Sequence, residues 1–90
     1  MSEITEEMLI TNSLGMHLRP AQQLVQLVLK FQCDVHIRKD GHRVNAKSIM
    51  GLLTLAAAQG AKLVIICEGE DAAEAMDAVR TLVESGFGEE

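Results

Sequence analysis

The chain has 90 residues, a net charge of -5 and 48% apolar residues, yet only Phe31 and Phe87 are aromatic. So short a chain builds one core, so residues 1–90 are expected to form a single domain packed through Leu, Val, Ile, Ala and Met rather than rings. No apolar run approaches the roughly 20 residues of a membrane span, and MSEITEE lacks the basic, then apolar start of an export signal, so a cytoplasmic protein without membrane insertion is expected.

EEMLIT, residues 6–11, reads as a short apolar strand closed by the turn NSLG. The apolar period then lengthens: Ala21, Leu24, Val25, Val28 and Phe31 recur at helical spacing. Pro20 locates the start of this helix. Proline has no N–H to donate and is tolerated only in a first turn, so the helix begins at His17. CDVHIRKDGHRVNA alternates through Val35 and Ile37, meets Asp40-Gly41 and resumes at Arg43, the pattern of a hairpin with a two-residue turn. Ser48 precedes IMGLLTLAAAQ and Gly60, which predicts a capped, Ala-rich helix ended by glycine. AKLVIIC is apolar without alternation, as an interior strand is. Asp71 and Glu74 form a D-x-x-E start to a helix carrying Met76, Val79, Leu82 and Val83, closed by Ser85-Gly86. The order is βαββαβα, an α+β fold whose economical arrangement is a four-stranded antiparallel sheet with three helices on one face.

Charge is unevenly spread. From His17 to Lys47, six basic residues (Arg19, Lys30, Arg38, Lys39, Arg43, Lys47) face only Asp34 and Asp40, while the rest of the chain sets eleven acidic residues against Lys62 and Arg80. A locally basic region on an acidic protein suits a small anion or an acidic partner; nucleic acid would call for a wider basic surface with stacking aromatics. Cys33 and Cys67 stand far apart with no histidine cluster, so buried reduced thiols are expected and no metal. His36 and His42 read as solvated, and the carboxylates of residues 68–77 as a strand end and helix start.

The segment NSLGMHLRPAQQ concentrates the chemistry. Gly15 lets the chain turn just before the helix, leaving the His17 imidazole beside backbone N–H groups that have no acceptor within the helix. Arg19 adds a guanidinium suited to two-pronged contact with phosphate, and the helix dipole acts in the same direction. The positive helix end favours a neutral, nucleophilic ring. Those are the elements of a phosphohistidine site.

LGMHLRPA together with NAKSIMGLLTLAAAQG resembles the HPr family, the histidine-containing phosphocarriers of the bacterial phosphoenolpyruvate-dependent phosphotransferase system, across nearly the whole chain. The resemblance implies an open-faced β-sandwich. It implies that His17 accepts a phosphoryl group on Nδ1 from phosphorylated enzyme I and passes it to a IIA protein or domain, without a cofactor. Arg19 would clamp the phosphate with the amides of Leu18 and Arg19, and Met16, Leu18, Ile49 and Met50 would form an apolar docking patch. Met16, Leu18 and Gln22 depart from the commonest residues of the family and border that patch.

KSIMG resembles the regulatory serine segment of HPr proteins that an HPr kinase/phosphorylase modifies, so Ser48 is a candidate phosphoacceptor as well as a helix cap. A transcription regulator is then a further partner. The expected molecule is a monomeric carrier rather than an enzyme. Two other classes stand beside it: a purely regulatory interaction module on the same fold, and, ranked last, a small-molecule binding domain of similar element order.

Overall fold

Residues 2–89 are described by a computed structural model; Met1 and Glu90 lie outside the described residues. The elements are β1 (Glu3–Leu9), α1 (Leu18–Val28), β2 (Asp34–Lys39), β3 (His42–Asn45), α2 (Ile49–Leu53), β4 (Lys62–Glu68) and α3 (Ala72–Glu84), followed by a one-turn 3-10 helix over Gly86–Gly88. The expected βαββαβα order is the order found. All strand pairs are antiparallel, and the sheet runs β1-β4-β2-β3.

Pairing explains the placement of each strand. β4 lies between β1 and β2, as its unbroken apolar run predicts. Its Leu63, Ile65 and Cys67 face the helices with Val35, Ile37 and Met8, and meet Leu24 and Val28 of α1 and Met76, Val79 and Val83 of α3 in one buried core. Ile66 points to the open face yet is also buried, shielded by its cross-strand neighbours Thr5 and His36. The hairpin turns at Asp40 and Gly41, both with positive φ, as a two-residue primed turn requires.

Three sequence expectations are corrected. β1 spans residues 3–9 rather than 6–11, because the register from Glu3 opposite Glu68 to Leu9 opposite Lys62 is set by the length of β4. This register turns Glu6 toward the helix layer, where Arg80 of α3 meets both its carboxylate oxygens.

The second correction concerns α2, which stops at Leu53 instead of running to Gly60. Ala56 takes a positive φ of 50° and Ala57 is buried, its carbonyl accepting the Met16 N–H at 2.8 Å. The alanines favour helix, but a helix would carry this carbonyl away from Met16, and the long-range contact prevails.

Third, Asp71 makes no side-chain cap to α3. Its carboxylate instead accepts the N–H groups of Gln32 at 2.8 Å and Cys33 at 2.9 Å, binding the connection between α1 and β2 to the start of α3. Cys33 and Cys67 are free and buried, and burial pushes their thiols up to about 11 and about 12, leaving them protonated and unreactive.

The Asp71 carboxyl is held below the ordinary carboxylate range, chiefly by the Gln32 N–H. A carboxyl whose pKa falls on folding adds stability above its unfolded value, and loses that contribution as pH falls through the folded one. Asp71→Asn should therefore lower the urea midpoint at neutral pH, and the gap from the parent protein should narrow in acid, below the ordinary carboxylate range. A gap that stays constant across that range would contradict this role.

Candidate functional site at the start of the first helix

His17 is the cap residue of α1, with φ -102° and ψ -168°, and Leu18 is the first helical residue. Pro20 is then third, inside the first turn, where its missing N–H costs no helix bond. The Ala21 N–H donates to the His17 carbonyl at 3.1 Å, while the N–H groups of Leu18 and Arg19 have no acceptor within the helix. Three features expected from sequence thus meet here: a helix start, free amides and the Arg19 side chain, which is exposed and in no ion pair among the described residues.

The His17 side chain makes no capping bond. Its Nε2 instead lies 3.0 Å from Oε1 and 2.9 Å from Oε2 of Glu89. A carboxylate only accepts, so Nε2 carries the ring hydrogen and donates it. Nδ1 has no hydrogen-bond partner among the described residues. Asn12, fully buried, donates through Nδ2 to the Gly15 carbonyl at 2.8 Å and to Glu89 Oε1 at 3.0 Å. The Glu89 carboxyl is held below the ordinary range, first by its bond to His17 and then by that from Asn12. Neither Asn12 nor Glu89 emerges from the sequence reading. Glu89 is 72 positions from His17 and has no local motif to mark it.

Gly15 is fixed by two constraints at once. Its φ is +70°, and an added Cβ would stand 2.3 Å from the Ala57 carbonyl oxygen and 2.8 Å from Ala58 Cα. The sharp turn expected from sequence is therefore also a close backbone approach.

The expected docking residues divide. Leu18 and Met50 are exposed, at 52% and 72%, and Ile49 is half-buried. Met16 is corrected: it is 5% exposed, belongs to the core, and cannot offer its side chain to a partner. The exposed neighbour on that side of His17 is Leu14, at 71%. Ser48 is the cap of α2 as expected, its Oγ accepting the Gly51 N–H at 3.0 Å, and its residue is half-buried. His42, read as solvated, is exposed but donates from Nε2 to Thr54 Oγ1 at 3.0 Å, because that hydroxyl already donates to the Gly51 carbonyl.

The family model for the PTS HPr component phosphorylation site matches residues 4–85. The chain belongs to the HPr family. A phosphocarrier protein HPr of Xylella fastidiosa strain 9a5c is 42% identical over 87 residues, which cover 97% of this chain and 98% of that protein. The crystal structure of an HPr from Thermoanaerobacter tengcongensis superposes with a TM-score of 0.90 at 44% identity, covering 100% of this chain and 99% of the other. The HPr-like protein Crh of Bacillus subtilis strain 168 is 44% identical over 70 residues, 78% of this chain and 82% of that protein. The fold is thus the open-faced sandwich of HPr proteins, with the helices on one face of the sheet, and no helix among the described residues is long and apolar enough to cross a membrane.

Two glycine substitutions separate the constraints at the site. Gly41 also has positive φ, +83°, but nothing lies near its missing Cβ. Gly41→Ala should cost only the left-handed conformation, about 1–2 kcal/mol. Gly15→Ala adds a backbone collision and should cost at least about 3 kcal/mol in urea denaturation. Equal losses would mean that the 57–58 segment moves away freely.

Proposed function

We propose that residues 1–90 act as one monomeric phosphocarrier, with His17 accepting a phosphoryl group on Nδ1 from phosphorylated enzyme I and passing it to a IIA protein or domain. The observation that carries this reading is the His17 ring, set at a helix start with Nδ1 unengaged and two amides of the first turn lacking helix acceptors. An anion there meets those donors, the helix dipole and the Arg19 guanidinium together. The chain is a covalent intermediate in the transfer, not a free-standing enzyme, and needs no cofactor or metal.

Leu14, Leu18, Ile49 and Met50 supply apolar docking area, and the basic residues between His17 and Lys47 suit acidic partner faces. Ser48 is the regulatory phosphoacceptor for an HPr kinase/phosphorylase, and its modified form engages a transcription regulator. Its accessible position one residue before Ile49 supports this role, since a phosphate there adds about two negative charges beside the apolar patch. The likeness to Crh supports a second reading, a regulatory module that binds partners without passing phosphate to a sugar transporter.

One experiment decides between them. After incubation with phosphoenolpyruvate, magnesium and enzyme I, the intact mass of the wild type should rise by one acid-labile phosphoryl group, and that of His17→Ala should not. Arg19→Ala should remain folded and transfer about 10- to 100-fold more slowly, having lost a charge-assisted contact. Ser48→Asp should slow arrival of the phosphoryl group at His17 with the fold unchanged. An unmodified wild type would establish the regulatory module instead.

A further inference from the structure

The open face of the sheet, turned away from the helices, carries a pair of arginines that the chain itself does not neutralise. Alternation along β2 turns His36 and Arg38 to this face, and the register sets Arg43 directly opposite Arg38 and Asn45 directly opposite His36. Both arginines are exposed, and neither forms an ion pair among the described residues. By contrast, Arg80 is held by Glu6 and Asp77, and Lys39 by Asp40. Like charges directly opposite each other on a ladder repel, since their Cβ atoms stand only about 5 Å apart. The carboxylates of the same face lie too far away to relieve this. Asp34 is four residues back along β2, about 13 Å at the rise of a strand, in a row with Glu68 and Glu3. Glu7 stands beyond Val64 on β1, two strand spacings or about 9.5 Å from Arg38. Lys62, exposed and two residues before Val64 on this face, adds a third unpaired cation at the same end.

We propose that Arg38 and Arg43 form a binding site for a compact phosphate monoester, a second anion site on the face of the sheet opposite the helices. A monoester dianion matches the two guanidinium charges, and its three terminal oxygens provide acceptors for both planar forks at once. Beside the pair, Asn45 accepts the Lys47 N–H through Oδ1 at 2.9 Å, which leaves its Nδ2 hydrogens free to donate. The half-buried His36 ring makes no side-chain hydrogen bond among the described residues. Asn45 and His36 thus suit an uncharged, hydroxylated body attached to the phosphate. The surroundings limit the size of the ligand. Glu7 on one side and the row of Glu3, Glu68 and Asp34 at the far end would repel a longer polyanion or an extended acidic segment. Nucleic acid is further disfavoured because neither aromatic residue of the chain lies in a strand, so no base can stack on this face. An occupied site removes the repulsion between β2 and β3, so binding stabilises the hairpin.

The test is a residue-resolved amide NMR titration of the full chain with glycerol 3-phosphate, run against sodium chloride at matched ionic strength and against a glutamate-rich peptide. A pH of about 7.5, above the second phosphate pKa of about 6, keeps the monoester a dianion. The amides of residues 36–38 and 43–45 should shift saturably with glycerol 3-phosphate and not with chloride, separately from any shift at Leu18 and Arg19. Arg38→Gln and Arg43→Gln should each weaken this binding about tenfold or more, one charge-assisted contact being lost. Lys39→Gln, in the same strand but on the other face, should change it less than about twofold. Without ligand at low salt, each arginine substitution should also raise the urea midpoint, because the repulsion is gone. Equal shifts with glycerol 3-phosphate and chloride, or equal weakening by Lys39→Gln, would overturn the site and leave a solvated charged face. Tighter saturation by the glutamate-rich peptide would overturn it in favour of an acidic protein partner.

Discussion

The close approach of residues 15 and 16 to residues 57 and 58 is the constraint on which the site depends. Gly15 has no side chain to keep the two backbones apart, and the Met16 N–H closes on the Ala57 carbonyl at 2.8 Å. This contact stops α2 after five residues, draws Met16 into the core and leaves His17 in extended conformation at the point where α1 begins. The helix start is therefore anchored from outside the helix. A short helix cannot hold its own first residue in place, because the orphan donors of the first turn are the groups a ligand needs.

Around this contact the polar interactions are arranged as ties between segments distant in sequence. Asp71 receives two backbone N–H groups from the α1–β2 connection, Arg80 joins α3 to Glu6 on β1, and Asn12 joins the loop before α1 to Glu89. Each tie pairs a charged or amide group of one segment with a donor or acceptor of another. With only two aromatic residues, the core interior is assembled from aliphatic side chains, and the buried ring of Phe87 is used to secure the turn that carries Glu89.

Charge distribution follows the same division. The acidic excess lies outside the His17–Lys47 segment, and part of it is engaged structurally, by Arg80 and by the backbone at Asp71. Arg19 is exposed and unpaired among the described residues, which leaves its guanidinium available to an anion. A carboxylate also lies against the imidazole: the helix start suits an anion bound at Nδ1, and Glu89 accepts the hydrogen on Nε2.

Element order, the hairpin turn at Asp40-Gly41, the central strand and the helix start at His17 were all legible from the sequence, because period, turn chemistry and the restriction on Pro20 act within a few residues. The likeness of two motifs to HPr proteins pointed to His17, Arg19 and Ser48. The premature end of α2 was not legible, since alanine propensity is local and the contact that overrides it comes from Gly15. Nor was the burial of Met16 or the true role of Asp71, each set by a partner in another segment. By itself the sequence determined the elements and the nucleophilic segment; only the tertiary structure decided which side chains face outward there and that Glu89, brought back by the buried Phe87, meets His17. Side-chain periodicity records a preference for an element, whereas a contact across 72 residues exists only once the core has closed.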